Sequence, residues 1–182
     1  MNTRIVKIGT LASVLAGFVW ASSTVNPVQN PDSEQASKLL AEAKAMAFQL
    51  KEDAQTMESY TRSNATWESH AVAINQVKER VNALGRQVTK LKDARNTASP
   101  WQKAAIDRIN PFMDELGGYT DAVIENVNKH PKLLNTAEYK DYLEANADYA
   151  GDLATMIGDF VDYGRTKQRL QRLTEKLEVP SR

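Results

Sequence analysis

Residues 67–95 read WESHAVAINQVKERVNALGRQVTKLKDAR, and this stretch decides the fold. Trp67, His70, Ile74, Val77, Val81, Leu84, Val88, Leu91 and Arg95 follow one another in alternating steps of three and four, and seven of the nine are strongly apolar. Steps of three and four put all of them on one face of an α-helix. A seam this regular predicts left-handed, coiled-coil-like packing against neighbouring helices.

The same spacing recurs on both sides. Upstream, Ala36, Leu39, Leu40, Ala43, Met46, Ala47, Leu50, Ala54 and Met57 mark a first helix, with Asp32 as its expected cap and Gln35 as the reciprocal partner. Downstream, Ser99-Pro100 reads as a cap followed by proline in the first turn, where a missing N–H costs nothing. The seam of this third helix is Trp101, Ala105, Ile109, Phe112, Leu116, Tyr119, Val123 and Val127; Pro111 is expected to kink it and Gly117-Gly118 to weaken it. A fourth helix, capped by Asn135, carries Tyr142, Asn146, Tyr149, Leu153, Met156, Phe160, Tyr163, Lys167, Leu170, Thr174 and Leu177. Short loops join the four, which makes sequence neighbours antiparallel. The expectation is an all-α, elongated, up-down-up-down four-helix bundle with heptad packing. Its C-terminal helix, roughly 65 Å against roughly 45 Å for the others, outruns its partners by about 20 Å.

Residues 1–21, MNTRIVKIGTLASVLAGFVWA, read as a cleavable signal peptide. Arg4 and Lys7 supply the positive start, Ile8 to Ala21 an apolar stretch too short to span a bilayer, and Val19 and Ala21 the small side chains before the cut. Residues 22–31 form a polar arm with Pro27 and Pro31, and residues 32–180 the bundle domain. There is no cysteine, so disulfides, thiolate metal sites, a cysteine nucleophile and lipid modification after the leader are excluded. Without the leader the chain holds 21 basic and 23 acidic residues, a balance that does not suit nucleic acid. The expected location is periplasmic or secreted.

No residue constellation reads as catalytic, cofactor-binding or metal-ligating. No Glu-x-x-His pair exists for a carboxylate di-iron site. His70 on the seam, with a methionine such as Met57 nearby, is the kind of pair that holds haem iron in bundle cytochromes. The plainer reading is a core histidine bonded to a tyrosine hydroxyl. Trp67, His70, Tyr119 and Tyr142 are grouped as a candidate interior polar cluster at one end of the bundle. Tyr139, Tyr142, Tyr149 and Tyr163 are expected on the interior side of helix four, as packed core with their hydroxyls at the rim; the alternative is a small cavity for an aromatic or amphipathic molecule. Asn64-Ala65-Thr66 matches a glycosylation sequon, but Asn64 or Thr66 serves better as a helix cap. Ala147, Gly151, Ala154 and Gly158 form a small-residue stripe expected on the far side and flank of helix four.

Charge is segregated along helix four. From Glu138 to Asp162 seven acids face one base, and from Arg165 to Arg182 six bases face two acids. Residues 78–95 of helix two carry the same basic excess, six against two. Parallel helices two and four thus place both basic ends at one pole. Arg165, Arg169, Leu170, Arg172, Leu173, Lys176 and Leu177 form the candidate interaction surface on the overhang. The function expected is that of a non-enzymatic interaction or scaffold module of the cell envelope. Its partner would be a protein, an anionic surface or another copy engaged through the C-terminal helix; the alternative is a small-molecule-binding or sensory bundle.

Overall fold

The computed structural model describes residues 31–129, 134 and 136–177. The leader, nearly all of the polar arm, and Asn135 lie outside them. Four helices account for almost all of the described chain: α1 (Glu34–Ser59), α2 (Trp67–Ala94), α3 (Pro100–Lys129) and α4 (Ala137–Lys176). Short 3-10 turns, Tyr60–Arg62 and Arg95–Thr97, follow α1 and α2. Among the described residues there is no strand.

The helices pack as a four-cornered antiparallel bundle, each against its two neighbours. Polar cross-links show the directions. Asp32, just before α1, meets Lys167 in the last third of α4 at 2.8 Å, Lys44 of α1 meets Asp162 of α4 at 2.9 Å, and α1 meets α2 through Asp53–Arg80 at 2.9 Å. Trp67 at the start of α2 donates from Nε1 to the Val127 carbonyl near the end of α3, at 3.0 Å. Asn146 of α4 donates from Nδ2 to Thr120 Oγ1 of α3 at 2.9 Å.

The core follows the α2 seam closely: Ile74, Val77, Leu84, Val88 and Leu91 are buried, against Leu40, Ala43, Leu50, Ala54 and Met57 of α1 and Ala105, Ile109, Leu116, Val123 and Val127 of α3. In α3 the helix continues through the exposed Pro111 and through Gly117-Gly118. The caps differ from two expectations. Ser33, not Asp32, caps α1, its hydroxyl accepting from Ala36 N at 3.3 Å; Thr136, not Asn135, caps α4, accepting from Tyr139 N. Thr66 caps α2.

Helix α4 is rotated relative to the expected seam. Its buried residues are Tyr139, Leu143, Asn146, Ala147, Ala150, Leu153, Ala154, Ile157, Gly158, Val161 and Gly164, so that Asn146 and Leu153 of the expected seam are buried and its larger aromatic members are not. The small residues are therefore not on the far side. They let α1 and α3 approach closely: a Cβ built on Gly158 would touch Phe48 at 3.6 Å, and one on Gly164 would lie 2.6 Å from Trp101 Cη2. Only glycine lets the indole lie across the helix at Gly164. The row of larger residues, Tyr142, Tyr149, Met156 and Phe160, packs at the edge of the core, and Tyr163 is 54 % exposed.

Candidate functional site

His70 is buried in a small polar pocket at one end of the bundle. Its Nδ1 shares a hydrogen bond of 2.9 Å with Tyr139 Oη, and the Tyr60 ring stands edge-on to the imidazole at 5.5 Å. The other residues grouped with it from the sequence lie elsewhere. Trp67 is 40 % exposed and bonded to the α3 backbone. Tyr119 stacks on Tyr149 at 5.0 Å between ring centres on the outer α3–α4 edge, and Tyr142 donates to Glu138 on its own helix. The partner the sequence reading did not pair with His70 is Tyr139, one helical turn before Tyr142 and the only one of the four tyrosines on α4 that is fully buried. Among the described residues no three histidine or carboxylate side chains converge as a metal would require.

Burial pushes the His70 imidazole below its ordinary pKa, and pushes the Tyr139 hydroxyl up. The unfolded chain therefore binds a proton at His70 at a higher pH than the folded one does. This contribution to stability is complete above the ordinary histidine pKa of about 6.5 and declines as the pH falls below it. Urea titrations at pH 7.5 and 5.5 should show the wild type losing stability at the lower pH. In His70→Phe that loss should be smaller; an equal loss in both would mean that His70 is not the group responsible.

The opposite pole is held by two polar knots. Gln102 of α3, fully buried, accepts at Oε1 from Ser33 N and from Ser99 N, both at 2.9 Å, and donates from Nε2 to the Ser33 carbonyl and Ser37 Oγ. Beside it, Asp32 Oδ1 accepts from Trp101 Nε1 at 2.7 Å and from Lys167 Nζ at 2.8 Å. Burial alone would raise the Asp32 pKa, but Lys167, Ser99 and Trp101 around the carboxylate, with the charge of Lys167, outweigh it and hold the carboxyl below its ordinary value. Lys167, on the expected seam, thus still belongs to the bundle. The overhang begins at Gln168, after Arg165 has already paired with Asp162 at 3.5 Å.

A groove of about 530 Å³ runs along the outer α3–α4 edge from this pole. Its floor is Trp101, Phe112, Met156, Phe160 and Tyr163; Arg108 stands on the α3 bank, and Asp152 and Asp159 on the α4 bank. The Trp101 and Tyr163 rings meet edge-on at 5.6 Å between centres, and Phe112 tilts against Tyr149 at 6.1 Å. Aromatic surface continues past the groove through Tyr149, Tyr119 and Tyr142. The Tyr149 hydroxyl is pushed up to about 12 by Glu115, first through a hydrogen bond and then through its charge. Of the four tyrosines expected on the interior side, Tyr139 is fully buried, whereas Tyr142, Tyr149 and Tyr163 lie along the outer edge, because the small residues of α4 occupy the interior side there.

Beyond Lys167, α4 is largely exposed among the described residues. Leu170, Leu173 and Leu177 are 64 %, 45 % and 65 % exposed, with Arg169, Arg172 and Lys176 exposed beside them. The free part, from Gln168 to Leu177, measures about 14 Å, shorter than the overhang expected from sequence. Among the described residues no helix is long and apolar enough to cross a membrane.

Comparison with protein-family models, with curated proteins and with solved structures gave no match for this chain.

Proposed function

We propose that the protein is an exported, non-enzymatic interaction or scaffold module of the cell envelope, and that it works by docking a basic amphipathic helix along the α3–α4 edge. The observation that carries this is the double apolar character of α4. One face, of small residues, is consumed by the bundle. On the other, Tyr163 and the three overhang leucines are exposed among the described residues, and Met156 and Phe160 lie half-buried beside them along the groove. Exposed apolar surface is unfavourable at about 25 cal/mol per Å², and a contiguous patch marks an interaction site more often than scattered single residues do. A groove with an aromatic floor and an acidic bank suits a helix that presents leucines flanked by Arg or Lys. Export is supported by the leader read in residues 1–21.

A photo-crosslinking residue at Thr155, on the groove, and another at Gln55, exposed on α1, test this in cells expressing the full chain. Crosslinking at Thr155 should give one discrete adduct, found in the envelope fraction, with the uncrosslinked chain starting near Ser22 by mass spectrometry. Position 55 should give none. A groove position that crosslinks nothing, or a chain retained in the cytoplasm with Met1 intact, contradicts the reading.

A second reading, binding of a small amphipathic molecule, is supported by the groove volume, which lies within the range of ligand sites. Trp101 and Tyr163 beside Asp152 and Asp159 suit an aromatic cation.

A further inference from the structure

We infer that the occupant of the α3–α4 groove is the C-terminal overhang of a second copy of this chain, in a two-fold dimer with the two α4 helices antiparallel. The inference rests on the docking reading above and names its partner.

Three observations lead to it. The first is alignment. Asp152 and Leu170, Thr155 and Leu173, and Asp159 and Leu177 are each about five whole turns apart at 3.6 residues per turn. The exposed leucines therefore continue the same face of α4 that forms one bank of the groove, so one straight helix can present its groove and its leucine row to the same neighbour. The second is length. The groove bank from Asp152 to Tyr163 covers about 17 Å and the free overhang about 14 Å, so one overhang fills one groove. An antiparallel pairing centred near Gly164 and Arg165 brings both overhangs onto both grooves at once, which is the self-complementary geometry that a two-fold axis demands. In it Leu170 of one copy lies level with Asp159 and Phe160 of the other, and Leu177 with Asp152.

The third is charge. Asp152 and Asp159 make no ion pair among the described residues, and neither do Arg169, Arg172 and Lys176. The antiparallel pairing sets Arg169 level with the partner copy's Asp159, and Lys176 level with its Asp152. A parallel pairing would instead stack overhang on overhang, bringing Arg on Arg and leaving both grooves open. The switch of sign along α4, acidic to Asp162 and basic from Arg165, thus has a use: it is complementary to itself when reversed. Head-to-tail docking of one overhang only would leave the second groove free and build open chains.

Sedimentation velocity across a range of concentrations, on protein isolated from cells expressing the full chain, tests the inference. The wild type should sediment as a dimer. The double variant Leu170→Asp/Leu177→Asp alters only exposed side chains. It should keep the wild-type circular dichroism and thermal midpoint at low concentration, yet sediment as a monomer. Asp159→Arg alone should weaken association at least tenfold, and Asp159→Arg with Arg169→Asp should restore most of it, a rescue that an unrelated partner would not produce. A wild type that stays monomeric at 0.1 mM, or charge reversal without rescue, overturns the second copy as occupant. Monomeric protein that binds phosphatidylglycerol vesicles through these leucines overturns it too. The docking reading fails separately: a monomer whose Thr155 still crosslinks to a heavier protein keeps that reading and loses this one, whereas a monomer with no crosslink loses both.

Discussion

Replacing Gln102 with Leu should lower the stability of the protein by about 3–5 kcal/mol, a large part of the total for a domain of this size. The side chain keeps its volume, so no cavity opens. What is lost is four hydrogen bonds made by one amide: two accepted, from Ser33 N and Ser99 N, and two donated, to the Ser33 carbonyl and Ser37 Oγ. Ser99 is fully buried, so its N–H cannot turn to water, and an unpaired buried donor costs about 1–3 kcal/mol. The arrangement is the glutamine half of a capping box, shared between two helices. In α3 the residue three positions after the cap, Gln102, reaches back to the N–H of Ser99. In α1 the equivalent position is Ala36, which cannot do this, and the same glutamine supplies the missing acceptor to Ser33 from across the bundle. Urea unfolding of Gln102→Leu against wild type measures the cost. A loss under 1 kcal/mol would mean that the two helix starts do not depend on this residue.

That knot shows where sequence reading stops. The Ser-Pro-Trp-Gln run at 99–102 contains the capping-box spacing within one helix, and the reach to a second helix is invisible without the fold. The bundle itself was legible because α1, α2 and α3 each have a single apolar face, and a single face leaves no choice about what is buried. Helix α4 was misread for the opposite reason. It has two candidate faces, one of Tyr, Phe and Met at heptad spacing and one of Ala, Gly, Ile and Val. Ranking by side-chain size favours the first. The structure buries the second: Ala147, Ala154 and Gly158 lie in the core, and Trp101 needs the bare backbone of Gly164. Rotating α4 to suit the core turned Tyr149, Met156, Phe160 and Tyr163 toward the α3 edge, and the outer groove follows from that rotation.

The buried polar groups fix what heptads leave open. Apolar seams tolerate sliding by a heptad, since one leucine layer resembles the next. Gln87 donates from Nε2 to the Leu39 carbonyl at 3.1 Å and to Glu42 at 2.9 Å, Asn146 reaches Thr120, and His70 meets Tyr139. Each pairs two specific helices at one height, and each would be stranded by a slide of one heptad. Gln87 sets the register of α2 against α1, and Asn146 and Tyr139 set that of α4 against α3 and α2. That register decides that Lys167 ends on Asp32 and that the leucines beyond it are left outside.

The same substitution at two heptad leucines should then give opposite results. Leu84 and Leu170 occupy equivalent places in the sequence pattern of their helices, each on a regular three-four seam. Leu84 is completely buried in mid-bundle and Leu170 is 64 % exposed. Leu84→Ala removes buried methyl groups and leaves a cavity that the surrounding helices cannot close, at a cost of about 2–5 kcal/mol. Leu170→Ala removes apolar surface that already faces water in the single chain, so at low protein concentration its effect should stay within about 0.5 kcal/mol. Chemical denaturation of both variants at a few micromolar, with circular dichroism at 222 nm as the signal, gives the two numbers side by side. A cost near zero for Leu84→Ala would mean that the α2 seam is not the core. A cost of several kcal/mol for Leu170→Ala, unchanged on further dilution, would mean that the overhang is packed against its own chain, leaving no free helix to offer a partner. A cost that appears only as concentration rises is the signature of a leucine that is buried by association.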